Sequence, residues 1–377
     1  MFLALRELRF ARARFGLMGA VIVLIAILMV LLSGLAQGLT KDGVSGLQNL
    51  PVSSFAFEKD IQKDSAFTRS VVEVDDAEAW AEQPGVKDAA PFGLALVNGA
   101  NQKGTQIDLA LIGVEQDSFV APEAAQGDGL VDAHSVVLSA DAEEQGIEIG
   151  DVITLEQSDI ELTVSGFLDG QNTFGHVDMG YVELPTWQAA AAGVSLDADL
   201  PQGRDNQVSA IAVQYDDEPT ADQLAAGDEK VGTSSLTLKE SYGASPGYTA
   251  ETSTLMLIQV FLYAICALVA GAFFTVLTIH RKDEIAVMRA MGASTGYLLR
   301  DGLGQALILL LVSVGLGVLI GVGAGAGLQT TAMPFALQVG PIALASVLLI
   351  VLGLVGAAIA IVRITRVDPL TALGASR

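Results

Sequence analysis

Charge is missing from three long stretches of the chain, and this limits what the chain can fold into. Residues 16–36 (GLMGAVIVLIAILMVLLSGLA) and 254–279 (TLMLIQVFLYAICALVAGAFFTVLTI) hold no charged side chain, and none occurs between Asp301 and Arg363. A helix needs about 20 residues to cross the ~30 Å hydrocarbon core of a bilayer, so the first two stretches supply one span each. The third stretch is 61 residues long and supplies two. Pro334 and Pro341 bracket its break, which puts the last two spans near 303–327 and 341–362.

The rest of the chain is the opposite in character. Overall, 43 acidic against 20 basic residues give a net charge of -23, although 51% of residues are hydrophobic and only 17% charged. Residues 38–253 carry 38 of the acids and 9 of the bases, which leaves 5 acids and 11 bases elsewhere. The bases left over flank the spans. Arg6, Arg9, Arg12 and Arg14 precede the first, Arg281 and Lys282 follow the second, Arg300 precedes the third, and Arg363 and Arg366 follow the fourth. Basic flanks stay cytoplasmic, so both termini are expected inside a cell membrane and residues 38–253 outside. A cleaved leader is disfavoured, because an h-region is only ~7–15 residues long.

The expected class is an α-helical membrane protein with four transmembrane helices and an inserted extracellular α/β domain. Its expected divisions are a cytoplasmic amphipathic interface helix at 1–14, transmembrane helix 1 at 15–37 and the extracellular domain at 38–253. Transmembrane helix 2 follows at 254–280, a cytoplasmic helical region at 281–300, transmembrane helices 3 and 4 within 301–362, and a cytoplasmic tail at 363–377. Within the domain, β-branched or alternating runs predict strands at 70–74, 107–114, 135–139, 151–155, 161–168, 180–184 and 208–215. Short helices are predicted at 75–83, 139–146, 184–192 and 218–226.

Several chemistries are excluded or unsupported. One cysteine, Cys266, excludes an intrachain disulfide and a Cys-based zinc finger. The acid surplus disfavours nucleic acid as a partner. There is no Walker A pattern and no HExxH, and His134, His176 and His280 lie far apart, so no catalytic or metal site is expected. The GVGAGAG run at 321–327 sits inside an uncharged span, where Gly317, Gly321 and Gly325 predict a smooth helix face for close packing.

RKDEIAVMRAMGAS at 281–294, the C-terminal RVDPLTAL at 366–373 and the one-plus-three arrangement of spans resemble the permease subunits of ABC transporters in the macrolide-exporter, lipoprotein-releasing and FtsX superfamily. PGVKDAAPFG at 84–93, GIEIGDVITL at 146–155, ELTVSGFL at 161–168 and GYVELPTWQAA at 180–190 resemble the core domain of the same superfamily. This resemblance implies a homodimer, two copies of a separate ATPase that binds ATP and Mg, and no enzymatic site or intrinsic cofactor in the chain itself. It assigns ATPase coupling to Glu284, Ile285, Met288 and Met291.

A narrower resemblance, carried by LLSGLAQGLTKDGVSGLQNLP at 31–51 and PGYTAETSTLMLIQVFLYAI at 246–265, is to the haem-exporting permeases of Gram-positive bacteria. It implies haem as the transported ligand. Counting along ideal helices puts Met29 about 9 Å, Gln259 about 8 Å and Met256 about 3 Å below the outer face. These residues are expected to meet haem, with Met thioether as an axial ligand and Glu58 or Glu251 as a second. Phe55 and Phe57, beside Glu58, are expected to shield the macrocycle. Two rival functions remain: export of an antimicrobial peptide or other amphiphile, and FtsX-like mechanical regulation of a cell-wall hydrolase.

Overall fold

The computed structural model describes residues 12–280, 291–292, 294–331 and 333–365. Most of the expected interface helix at 1–14, nearly all of the 281–294 motif, and the tail from residue 366 lie outside them. The chain forms two compact units, one of residues up to Gly38 together with those from Thr252, the other Leu39–Glu251.

Ten α-helices occur among the described residues: α1 Arg12–Gln48, α2 Ala66–Arg69, α3 Asp76–Ala81, α4 Asp141–Glu144, α5 Leu184–Ala192, α6 Ala221–Val231, α7 Leu238–Ser241, α8 Tyr248–His280, α9 Thr295–Leu328 and α10 Val339–Thr365. Four of them contain segments long and apolar enough to cross a membrane, Phe15–Gln48, Tyr248–His280, Leu299–Leu328 and Val339–Val362. Phe15, Ile22 and Met29 of α1 form one buried cluster with Cys266 and Phe274 of α8, Leu310 and Val314 of α9, and Leu349 and Ala357 of α10.

Glycine sets how closely these helices pack. A Cβ added at Gly317 would strike Ala26, and one at Gly321 would lie 2.8 Å from Val30 Cβ, so the predicted smooth face is the face that meets α1. Gly325 continues it against the Phe335 ring. Gly356 of α10 brings its backbone against Ala267 of α8 in the same manner. Without a hydrophobic drive between helices in lipid, such backbone approach supplies the van der Waals contact that holds them.

The inserted domain has thirteen strands: β1 Ser54–Glu58, β2 Val72–Glu73, β3 Val86–Asn101, β4 Gln106–Val114, β5 Gln126–Gly127, β6 Ser135–Leu138, β7 Val152–Leu155, β8 Glu161–Phe167, β9 Thr173–Phe174, β10 Val177–Glu183, β11 Gln207–Val208, β12 Ala210–Tyr215 and β13 Thr233–Thr237. The main sheet runs β13-β1-β12-β3-β4-β10-β6-β8-β5, and β2 with β11 makes a separate ribbon. Both sheet faces are covered. On β4, Ile107, Leu109 and Leu111 join one core with Trp80 and Val136, while Ala110, Ile112 and Val114 join the other with Phe55, Phe57, Phe67, Phe92 and Phe174.

Every predicted strand region contains a strand, with one correction. The 208–215 run is two strands, because the Ser209 hydroxyl accepts from Leu94 N (3.0 Å) and donates to Leu94 O (3.1 Å), which breaks the ladder. Strand β3 carries Pro91 in its interior, where proline usually argues against a strand. It is tolerated because β3 changes neighbour there. Val86–Phe92 pairs with β12 and Gly93–Ala100 with β4, so the position lacking an N–H has a strand on one side only.

Candidate functional site

The first helix does not end with its apolar stretch but runs on to Gln48. Its last turns, with Gly43, Val44, Ser45, Gly46 and Leu47 buried, lie against the segment around β9 and β10. Gly46 leaves room for the Met179 thioether, which any Cβ there would strike. Hydrogen bonds stitch the two pieces: Ser45 Oγ to Thr173 Oγ1 (2.8 Å), Thr173 N to Ser45 Oγ (3.0 Å), Asn49 Nδ2 to Asn172 Oδ1 (2.9 Å) and Gly175 N to Gly43 O (2.9 Å).

Strands β9 and β10 pair Phe174 with Val177, which leaves Gly175 and His176 as a two-residue turn. Both have positive φ, 59° and 68°, as a type I′ hairpin requires. Histidine is an unusual choice for the second position. Its ring lies between two carboxylates: Nδ1 is 2.8 Å from Asp42 Oδ2 on α1, and Nε2 is 3.2 Å from Glu251 Oε2 in the first turn of α8. Gln171 Nε2 donates to the other Asp42 oxygen at 3.1 Å.

An imidazole can donate from both nitrogens only as the cation. Burial works against the charge, but the Asp42 hydrogen bond and the fields of Glu251 and Asp42 outweigh it, and the His176 pKa is raised. Beside it, Asp42, Asp108, Asp141 and Asp178 line a small acidic hollow. Burial foremost, and then the Asp141 charge, push Asp178 up to about 6. The cluster is therefore a clamp, held by a proton, between the end of α1, a rigid hairpin and the start of α8. No group of three or more side chains suited to a metal ion occurs among the described residues.

The sequence-predicted haem residues are placed very differently. Met29 is 3% exposed within the helix cluster, Met256 is 68% exposed, and Gln259 is half-buried. Glu58 ends β1 and accepts from Val71 N at 3.3 Å, while Glu251 belongs to the clamp. Phe55 and Phe57 are fully buried and stack edge-on against Phe67 at 5.0 and 4.9 Å between centroids. Shielding of a macrocycle by these two rings is therefore corrected: alternation along SFAFE sends them into the core. Of the coupling residues, Met291 is described and 76% exposed, and Glu284, Ile285 and Met288 lie outside the described residues. The participation of Asp42 and His176 was not anticipated. The available sign was a Gly-His pair between two short strand-like runs, TF and VDMGYVE.

A unit with four apolar helices, interrupted in sequence by a two-faced α/β domain, is the architecture of a permease with an extracytoplasmic domain. Residues 15–227 match the MacB-like periplasmic core domain and residues 256–369 match the FtsX-like permease C-terminal domain. The first match alone covers more than half of the chain, which thus belongs to the MacB/FtsX-like permease family. That family implies a membrane location, a non-enzymatic transport subunit and a separate ATPase partner.

Among similar proteins is the "Putative hemin transport system permease protein HrtB" of Staphylococcus haemolyticus strain JCSC1435, 24% identical over 381 residues and covering 99% of both chains. The protein of the same name in Staphylococcus epidermidis strain ATCC 12228 is 24% identical over 378 residues, again with 99% of both chains covered. Among solved structures, the extracellular domain of the noncanonic ABC-type transporter YknZ from Gram-positive bacteria aligns with 49% of this chain and 98% of its own, at 14% identity and a TM-score of 0.34. The periplasmic region of MacB from Actinobacillus actinomycetemcomitans aligns with 50% of this chain and 91% of its own, at 13% identity and a TM-score of 0.34.

Proposed function

We propose that this chain is the permease subunit of an ATP-driven pump that exports haem. The observation that carries the reading is end-to-end similarity, over 99% of both chains, to permeases named for hemin transport. The clamp supports a mechanical route. ATP-driven closure of two partner ATPases acts through Glu284, Ile285, Met288 and Met291 on a homodimer of this chain, and α1 and α8 relay the motion. Haem enters the outer leaflet against the exposed face of α8, where Met256 is open and Gln259 borders it. Met29 becomes a ligand only as its cluster loosens, and Glu58 and Glu251 are the carboxylate alternatives.

The test is the Soret band of haem-loaded protein in nanodiscs, with Met29→Ala, Glu58→Ala, Glu251→Ala, Met256→Ala and Gln259→Ala made singly. Met256→Ala is expected to shift the band and shorten haem retention. If none of the five does either, this ligand set is wrong; if the native protein takes up no haem at all, the cargo is another amphiphile. Coupling is read separately: Glu284→Lys and Met288→Asp are each expected to abolish ATPase co-purification, because an unpaired charge at an interface typically costs several kcal/mol.

A further inference from the structure

Only two of the nine basic residues in 38–253 are arginines, Arg69 and Arg204. Both side chains are exposed to water, and in a region with 38 carboxylates each of them could find an acid to pair with. Neither does: the side chains of Arg69 and Arg204 make no salt bridge or hydrogen bond among the described residues, where the ion pairs belong to Lys103 and His176.

Both arginines instead border one cavity of about 500 Å³, and no Asp or Glu lines it. Two other cavities of the domain differ from it in charge. One is lined by Asp197, Asp199 and Asp205, the other by Asp42, Asp108, Asp141 and Asp178. The fold brings the arginines there through the β2/β11 ribbon, which pairs Val72 with Val208 and Glu73 with Gln207. Arg69 closes α2 just before β2, and Arg204 opens the turn just before β11, so in an antiparallel ribbon they stand toward opposite ends. Val71 and Leu96, 42% and 45% exposed, are apolar parts of the same lining. Trp187 completes the wall, and its buried indole N–H has no acceptor among the described residues.

Two exposed guanidiniums without an acid partner, apolar side chains interleaved with the neutral polar groups of Thr68, Gln157, Gln188 and Gln207, and the absence of any lining carboxylate form the negative image of one kind of ligand. We infer that this cavity binds an elongated dianionic amphiphile, a small molecule with a carboxylate or phosphate at each end of an apolar body. Arg recognises carboxylate and phosphate alike by its planar fork.

The test uses the full chain in nanodiscs and the fluorescence of its two tryptophans, of which Trp80 is fully buried and bonded to Thr233 and Trp187 lines the cavity. Suberate and hexane-1,6-diyl bisphosphate are the probes, and hexanoate, hexane-1,6-diol and 1,6-diaminohexane the controls. A saturable change is expected with one or both dianions, and whichever binds more tightly identifies the head group. Arg69→Gln and Arg204→Gln, both at exposed side chains, are each expected to weaken binding at least tenfold with unchanged melting. Lys230→Gln, outside the cavity, is expected to change nothing. The inference is overturned if neither dianion saturates, if the double arginine variant binds as the native chain does, or if hexanoate or the diol binds as tightly. Haem retention in the same nanodiscs is an independent readout, so failure here leaves the export proposal standing.

Discussion

His176 occupies a backbone conformation in which histidine is uncommon, and it does so where its ring can bridge two carboxylates. Its pKa is raised above the ordinary value of 6.5, so the folded state holds the proton more tightly than the unfolded chain. The clamp's contribution is fully present below about pH 6.5 and is lost as pH rises through the folded value. His176→Gln is therefore expected to flatten the fall in melting temperature between pH 6 and 8; equal slopes in native and variant protein would refute a proton-held clamp. Asp178, 5% exposed, adds a slope of the same sign from the opposite kind of group. Its pKa of about 6 lies above the unfolded value of 3.8, so stability falls as pH rises from about 4 to 6. Asp178→Asn should add on the order of 1–2 kcal/mol at pH 7.5 and nothing at pH 4, read by denaturant melts at the two pH values. Nothing in the sequence around Asp178 marks it as buried. An aspartate in a strand ordinarily faces solvent, and only the fold places Asp141 beside it.

Among the elements, the helices were the most legible and the long central strand the least. A four-residue glycine spacing in α9 was enough to predict a packing face, because in lipid close approach is nearly all that such spacing can serve. Gly321→Leu is expected to lower stability by about 1–3 kcal/mol or prevent recovery of monodisperse protein, since Val30 stands in the way. Gly323→Leu, with open space around it, should be tolerated, and equal loss in both variants would show that the face is not where the packing lies. Strand β3 escaped a reading by propensity because Pro91, Gly93 and Gly99 punctuate it like a loop. Gly93 faces Gly113 across the ladder, and together they leave the slot that the Trp187 ring fills. A residue absent for the sake of a neighbour remote in sequence leaves no periodic trace. The strands β1 and β13 leave weak signals for a related reason: SFAFE is short, and TSSLT is too polar to read as half-buried.

For the whole molecule, charge segregation carried most of the sequence reading, and it yields a direct test of orientation. In a Cys266→Ala background, a cysteine at Asp217, which is exposed, should react with an impermeant maleimide on intact cells, and one at Ser376 should not. Reversal of that pattern would overturn the assignment of the inserted domain to the outside. The candidate clamp was not legible at this scale, because its three residues lie at positions 42, 176 and 251 and meet only when the sheet is complete. Completion comes late. Strand β1 finds its ladder partners only in β12 and β13, so residues 54–58 wait for residues 210–237 to emerge. At 5–20 residues per second, the first-made strand stays unpaired for roughly 8–30 seconds of synthesis. Through that interval an apolar SFAFE segment with open backbone edges trails the first membrane helix, and such an edge can pair with a neighbouring copy. The carboxylates that crowd the inserted domain thus also act during biogenesis, as mutual repulsion between adjacent nascent chains before either one can close.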